Sequence, residues 1–191
     1  KVDIETGIGV LTAVFTPSDT GIKEVRVSMG EPCFRPDQIP VITDKNDPIL
    51  DLQISVEGTD MELSCVSMGN PHSILFTDIP VNSFPLERIG PVVERHGDFP
   101  NRTNFEIVNI LSSKHFNMRV WERGVGETMA CGTGACAAQA VALVQGLAST
   151  NVTVSLPGGE LKVQWNGNGP SYLEGPAEYV FKGEWNIDGY T

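Results

Sequence analysis

Apolar and polar residues alternate along most of this chain, and the alternation predicts strands near 2–5, 10–15 and 24–28. Pro32, Pro36 and Pro40 then break the pattern, as expected where a chain crosses between domains. Alternation resumes near 51–56, 61–67, 73–77, 105–111 and 115–121, with Ser112-Ser113-Lys114 turning the last pair into a hairpin. Three more strands are expected near 151–156, 160–165 and 177–182. Two stretches change to a helical period. One, at 85–95, puts Leu86, Ile89 and Val93 on a single face. The other, at 133–146, is Ala-rich and ends at Gly146, where a C-cap belongs. It is apolar on nearly every side, so it is expected to be buried all round, with strands wrapped about it.

A faint internal repeat accompanies these elements. With Val2 set against Val152, Ile4 meets Val154, Gly9 meets Gly159 and Leu11 meets Leu161. Ala13 then meets Val163, and Phe15 meets Trp165. Each copy is a strand, a turn containing Gly and a second strand. The helix at 133–146 precedes the second copy, so a matching helix is expected before the first, upstream of Lys1. Lys1 is not an initiator Met, and alternation is already under way at Val2-Asp3-Ile4-Glu5; the chain reads as a piece of something longer.

Composition narrows the function classes. A chain of 191 residues makes one ordinary domain or two small ones, and 40% hydrophobic with 19% charged residues suits a packed core. The net charge of -11 and the lack of clustered Lys and Arg disfavour nucleic acid and anionic membranes as partners. No apolar run reaches the roughly 18 residues of a membrane span, and no signal segment opens the chain. Cys33, Cys65, Cys131 and Cys136 lack CxxC spacing. They read as thiols of a reducing, cytoplasmic compartment, neither a disulfide framework nor a metal site. The sequons at Asn101 and Asn151 are discounted without a secretory signal.

The densest chemistry lies in Glu122-Arg123-Gly124-Val125-Gly126-Glu127-Thr128-Met129-Ala130-Cys131-Gly132-Thr133-Gly134-Ala135-Cys136-Ala137. It runs from a strand end through a Gly-rich loop into a helix start, where unpaired backbone N–H groups face whatever binds there. Cys131 falls at that start, and its thiol pKa is expected to drop from about 8.5 to roughly 3.5–7.5, giving a thiolate near neutral pH. Cys136 reads as a small core residue. Gly132-x-Gly134-x-x-Ala137 also fits a dinucleotide fingerprint, but a loop precedes it and no acidic residue follows at the required distance, so no nucleotide cofactor is expected. Two further stretches carry polar groups: Met68-Gly69-Asn70-Pro71-His72, a turn that presents the Asn side chain, and Pro100-Asn101-Arg102-Thr103-Asn104-Phe105-Glu106 before a strand.

Together these three stretches resemble the diaminopimelate epimerase family, cofactor-independent amino-acid epimerases of bacterial lysine and cell-wall precursor synthesis. The Gly-Asn-Pro-His turn, the Asn-Arg-Thr-Asn segment and the run at 122–137 stand in the family's order, and the resemblance extends over essentially the whole chain against the family's C-terminal two-thirds. It implies an α/β (α+β) fold of two similar domains, each a sheet rolled around a central helix. On that basis 1–32 is a remnant of the N-terminal domain, 33–175 the C-terminal domain with its central helix at 133–146, and 176–191 a strand returning to the remnant. The resemblance makes Cys131 one of two catalytic thiols. It makes Asn70 and Asn104 substrate-binding residues, and Glu122 with Arg123 the pair that holds the substrate's distal end. Gly132 and Thr133 become the amides that bind the reacting carboxylate, and His72 and Glu122 the residues that adjust the cysteine pKa values. The family's first catalytic cysteine, on a Cys-Gly-Asn-Gly helix start, is absent here.

The implied reaction interconverts LL- and meso-diaminopimelate by proton transfer between two thiols, without cofactor or metal, and a chain with one thiol is expected to be inactive alone. Two alternatives stay open: a proline-racemase-like or other isomerase of the same fold, and a non-catalytic binding module that keeps half a site. Apolar strand faces left bare by a missing helix would lead to self-association, and a homodimer is an expectation on that ground.

Overall fold

The computed structural model describes residues 1–6, 9–18 and 21–184. Twelve strands and two α-helices make up an α+β arrangement, as expected: β1 (Val2–Thr6), β2 (Gly9–Ser18), β3 (Gly21–Ser28), β4 (Leu52–Val56), β5 (Thr59–Ser67), β6 (Pro71–Phe76), α1 (Leu86–Glu94), β7 (Asn104–Ser112), β8 (His115–Glu122), β9 (Gly126–Thr128), α2 (Gly132–Val144), β10 (Asn151–Leu156), β11 (Gly159–Gln164) and β12 (Tyr172–Pro176). One sheet runs in the order β1-β2-β3-β12-β11-β10-β8-β7-β6-β5-β4, and β9 pairs with β8 off this path. The β6–β7 and β8–β10 pairs are parallel.

Side chains alternate across the sheet, and each face has its own core. Val66, Ile74, Val108, Phe116, Met118, Val152, Val154 and Val163 pack on the Ala-rich α2. Leu63, Cys65, Leu75, Phe105 and Ile107 turn the other way, toward Leu86, Ile89 and Val93 of α1. α2 packs against β5, β6, β7, β11 and β12, and every residue from Gly134 to Ala142 is buried. A helix so enclosed needs small side chains, because strands approach it from several sides at once. That is why Ala fills it and why no polar face exists. Its C-terminus closes at Gly146, whose amide donates to Leu143 O at 3.0 Å.

The repeat survives as register. In the first hairpin Val2 pairs with Ala13, Ile4 with Leu11 and Thr6 with Gly9. In the second Val152 pairs with Val163, Val154 with Leu161 and Leu156 with Gly159. The equivalences from Val2/Val152 to Ala13/Val163 fall on equivalent sheet positions, whereas Phe15 lies within β2 and Trp165 just beyond β11. Gly9 (φ 118°) and Gly159 (φ 135°) both adopt a conformation that side-chain-bearing residues avoid. The copies differ in cover: Val152 and Val154 are 3% and 0% exposed under α2, whereas Val2 and Ile4 are 47% and 45% exposed.

The strand expected over 177–182, and placed within 176–191, is corrected. Residues 177–184 form no regular element, and Tyr179, Val180 and Phe181 are exposed. The strand that returns to the first segment is β12, earlier in the chain, which pairs with β3 through Tyr172–Ser28 and Leu173–Val27 and with β11 through Val163–Leu173. Pairing on both edges overrides the Gly and Pro that made Tyr172-Leu173-Glu174-Gly175-Pro176 a poor strand by composition. The rest of the 176–191 segment, 185–191, lies outside the described residues.

Candidate active site

Four strand ends meet beneath the start of α2. His72 on β6 lies opposite Asn104 on β7, Glu106 on β7 opposite Val120 on β8, and Val120 opposite Thr128 on β9. By alternation His72, Asn104, Glu106, Glu122 and Thr128 share the face that α2 covers. Cys131 is the N-cap of α2, with extended backbone (φ −133°, ψ 109°), and its Sγ accepts from the Gly134 amide at 3.4 Å. Gly132 and Thr133 are the first two helical residues, so their amides have no acceptor inside the helix.

Hydrogen bonds tie the predicted residues together. Cys131 Sγ is 3.4 Å from Thr133 Oγ1, and Asn70 Nδ2 donates to that hydroxyl at 3.4 Å. Asn70 Oδ1 is 3.1 Å from His72 Nε2, and His72 Nδ1 is 2.6 Å from Glu106 Oε1. On the other flank Asn104 Nδ2 donates to Pro71 O at 3.0 Å, and Asn104 Oδ1 accepts from the Arg123 amide at 2.8 Å. Glu122 accepts from the Thr128 hydroxyl. The exposed Arg123 guanidinium donates to Asn101 O at 3.0 Å. Of the eight residues expected from the sequence, Cys131, Thr133, Asn70 and His72 form one hydrogen-bonded chain and Asn104 with the Arg123 backbone a second, while Gly132 and Glu122 adjoin them along the chain.

Two carboxyls were not anticipated. Glu106 is fully buried, and its Oε2 has no partner among the described residues. Its position two residues after Asn104 on a strand was the available signal, because i and i+2 share a face. Glu94, at the end of α1, accepts from Trp121 Nε1 at 2.8 Å and from the Gly124 amide at 3.0 Å, with Arg102 Nη1 at 3.5 Å, and so holds the loop that carries Arg123. Burial opposes its ionisation, but the Trp121 and Gly124 donors with Arg95 and Arg102 outweigh that, and the carboxyl sits below its usual range.

The expected thiolate is corrected. Cys131 is 6% exposed, and its thiol is pushed up to about 11. Burial is the main cause, followed by the negative charge of Glu106; the Thr133 and Gly134 hydrogen bonds pull the other way and lose. A helix start favours the anion by less than burial beside two carboxyls disfavours it. Two of the other three sulfurs are enclosed in the cores. Cys65 faces the α1 core, and Cys136 is enclosed in α2 with its thiol raised to about 12, chiefly by burial. Cys33 pairs through its backbone with Ser67.

Gly134 is required by close approach. A Cβ there would lie 2.8 Å from Glu106 Oε1 and 3.3 Å from Cys131 Sγ. A cavity of about 510 Å³ lies elsewhere, between α1 and β5–β6, with Met61, Leu75, Phe84 and Ile89 in its walls. Among the described residues no three His, Cys, Asp or Glu side chains gather as metal ligands, and no helix is long and apolar enough to cross a membrane.

Comparison with known proteins gives a consistent picture. A family model described as diaminopimelate epimerase matches residues 64–180. The chain is 43% identical over 182 residues to a diaminopimelate epimerase of Desulfitobacterium hafniense, covering 95% of this chain and 64% of that protein. It is 42% identical over 188 residues to one of Leptospira biflexa, covering 98% and 67%. The chain thus spans about two thirds of the length of these relatives. Among solved structures a hydroxyproline epimerase from Agrobacterium vitis superposes with a TM-score of 0.69 at 16% identity, covering 95% of this chain and 58% of that one. A probable proline racemase from Agrobacterium radiobacter gives 0.68 at 16%, covering 99% and 61%. At that identity these two share the fold alone.

Proposed function

The chain belongs to the diaminopimelate epimerase family, and from that premise we propose that it builds one face of a cofactor-independent site interconverting LL- and meso-diaminopimelate, in lysine and cell-wall precursor synthesis. The observation that carries the reading is the joining of Cys131, at the start of α2, to Asn70 and His72 by an unbroken series of hydrogen bonds. Cys131 exchanges the α-proton on its side of the substrate. The free amides of Gly132 and Thr133 receive the α-carboxylate, Asn70 and Asn104 orient the backbone of the substrate, and Glu122 with Arg123 meets its distal end.

Energetics require this crowding. A C–H beside a carboxylate is a far weaker acid than a thiol. A mismatch on the order of ten pK units costs about 14 kcal/mol. One aimed donor returns about 2.7–4 kcal/mol, so several must act on the developing enediolate together. With its pKa raised to about 11, Cys131 is protonated in the resting chain and suited to deliver a proton. Inversion then needs a thiolate on the opposite face. Cys65 and Cys136 are buried and Cys33 is half-buried; in this reading none of them faces Cys131 across the substrate, and the chain alone is inactive.

The test is α-hydrogen exchange in heavy water with the chain as it stands. Diaminopimelate is expected to gain no deuterium, and full-rate exchange would overturn the need for a second thiol. Ligand protection of Cys131 against alkylation tests the substrate. Protection by diaminopimelate and none by proline supports the reading, and equal protection by proline overturns the role given to Glu122 and Arg123.

A further inference from the structure

The hydrogen bonds around Cys131 form a chain that leads back to Glu106. Asn70 donates through Nδ2 to Thr133 Oγ1 at 3.4 Å, so the atom it turns to His72, 3.1 Å from Nε2, is the Oδ1 oxygen. An amide oxygen only accepts, and Nε2 therefore carries a hydrogen. Thr133 accepts from Asn70, and its own hydroxyl hydrogen is free to turn to Cys131 Sγ, 3.4 Å away, whenever that sulfur is a thiolate. At the far end His72 Nδ1 and Glu106 Oε1 are 2.6 Å apart with a single proton between them. Both side chains are fully buried, so no water competes for that proton. Glu106 Oε2 is left without a partner, an arrangement that suits a carboxyl sharing a proton better than a bare anion.

We propose that Glu106 is a positioning residue. Through His72, Asn70 and Thr133 it sets the direction of a hydrogen-bond chain that ends with a hydroxyl hydrogen aimed at the Cys131 sulfur. When Glu106 brings the proton that it shares with Nδ1, His72 carries a hydrogen at Nε2; Asn70 then turns its oxygen to His72 and its amide hydrogens to Thr133, whose hydroxyl can donate to a Cys131 thiolate. Gly134 makes room for the assembly, since a Cβ there would strike both Glu106 Oε1 and Cys131 Sγ. The charged groups that act on the sulfur are Glu106 and Glu122, and those that act on Glu106 are His72 and Glu122. The inference rests on Cys131 as the reacting thiol, but none of its tests needs turnover, so its failure is distinguishable from failure of the epimerase reading.

Two measurements on the folded chain decide it. Long-range ¹H–¹⁵N correlation of the imidazoles, with His72 assigned by a His72→Gln variant, is expected to find Nε2 of His72 protonated. A bare Nε2 would overturn the proposal without any change at Glu106. The second measurement is the pH midpoint of Cys131 alkylation, followed by peptide mass. Glu106→Gln and Glu106→Leu both remove the carboxyl, but only Gln leaves a polar partner for Nδ1. The midpoint in Glu106→Leu is expected about one pH unit above that in Glu106→Gln, the worth of one donor on a thiolate. The gap is expected to vanish when Thr133→Val is added to both. Equal midpoints, or a gap that survives Thr133→Val, would overturn the proposal. Unmodified Cys65 and Cys136 certify that each variant is folded; where Glu106→Leu exposes them, the wild-type His72 tautomer decides alone.

Discussion

A helix start stabilises a thiolate when the sulfur also keeps water or a cation nearby, and Cys131 has neither advantage. It is enclosed, with Glu106 and Glu122 beside it. At a pKa of about 11 only about one molecule in ten thousand is ionised at pH 7. Alkylation of Cys131 in the free chain is therefore expected to be slow at neutral pH and to rise tenfold per pH unit toward a midpoint near 11; a midpoint near 7 would contradict the burial argument. Glu94 shows the opposite balance. Its folded pKa is depressed, so its stabilisation is fully present above the unfolded carboxyl pKa and lost as pH falls through the folded value. Glu94→Gln is expected to cost about 2 kcal/mol at neutral pH, the loss of charge-assisted bonds to Trp121 and Gly124, and progressively less in acid, as read by urea unfolding at several pH values. Which residues gather here was legible, because Asn70, Asn104, Glu122 and Cys131 lie in motifs. The sign of the thiol's shift was not, because it depends first on burial and then on Glu106, which reaches the sulfur across strands.

At the scale of elements, α2 was the most legible feature of the chain. Its all-round apolar composition implied enclosure, and strands surround it. β9 was missed because three residues opening on Gly126 carry no period, and it exists through pairing with β8. β12 was misplaced because Ala177-Glu178-Tyr179-Val180-Phe181-Lys182 looks more strand-like than the segment that pairs. What decides is the double edge between β3 and β11, which composition does not reveal. The first turn of α2 also inverts an ordinary rule. Ala in place of Gly normally favours a helix by about 1 kcal/mol. Gly134→Ala is instead expected to destabilise by about 1–3 kcal/mol in urea unfolding, because the new methyl would press on Glu106 and Cys131.

For the whole molecule, the two hairpins offer a comparison within one chain. They share sequence pattern and register but differ in cover, so equal truncations are expected to have unequal cost. Val154→Ala removes packing under α2 and is expected to cost about 2 kcal/mol. Ile4→Ala, at the equivalent position of the first copy, is expected to stay within about 0.5 kcal/mol. Equal losses by thermal unfolding would mean that the first hairpin's apolar face is covered in solution. The placing of β12 has a further consequence, for synthesis. Arg26 finds its partner Gln164 138 residues further on, and β12 follows later still. A ribosome adding about 5–20 residues per second takes roughly 7–30 s to make that stretch. Through that interval the β3 edge of the nascent β1–β3 meander waits for β12, dependent on whatever shields it until that strand emerges.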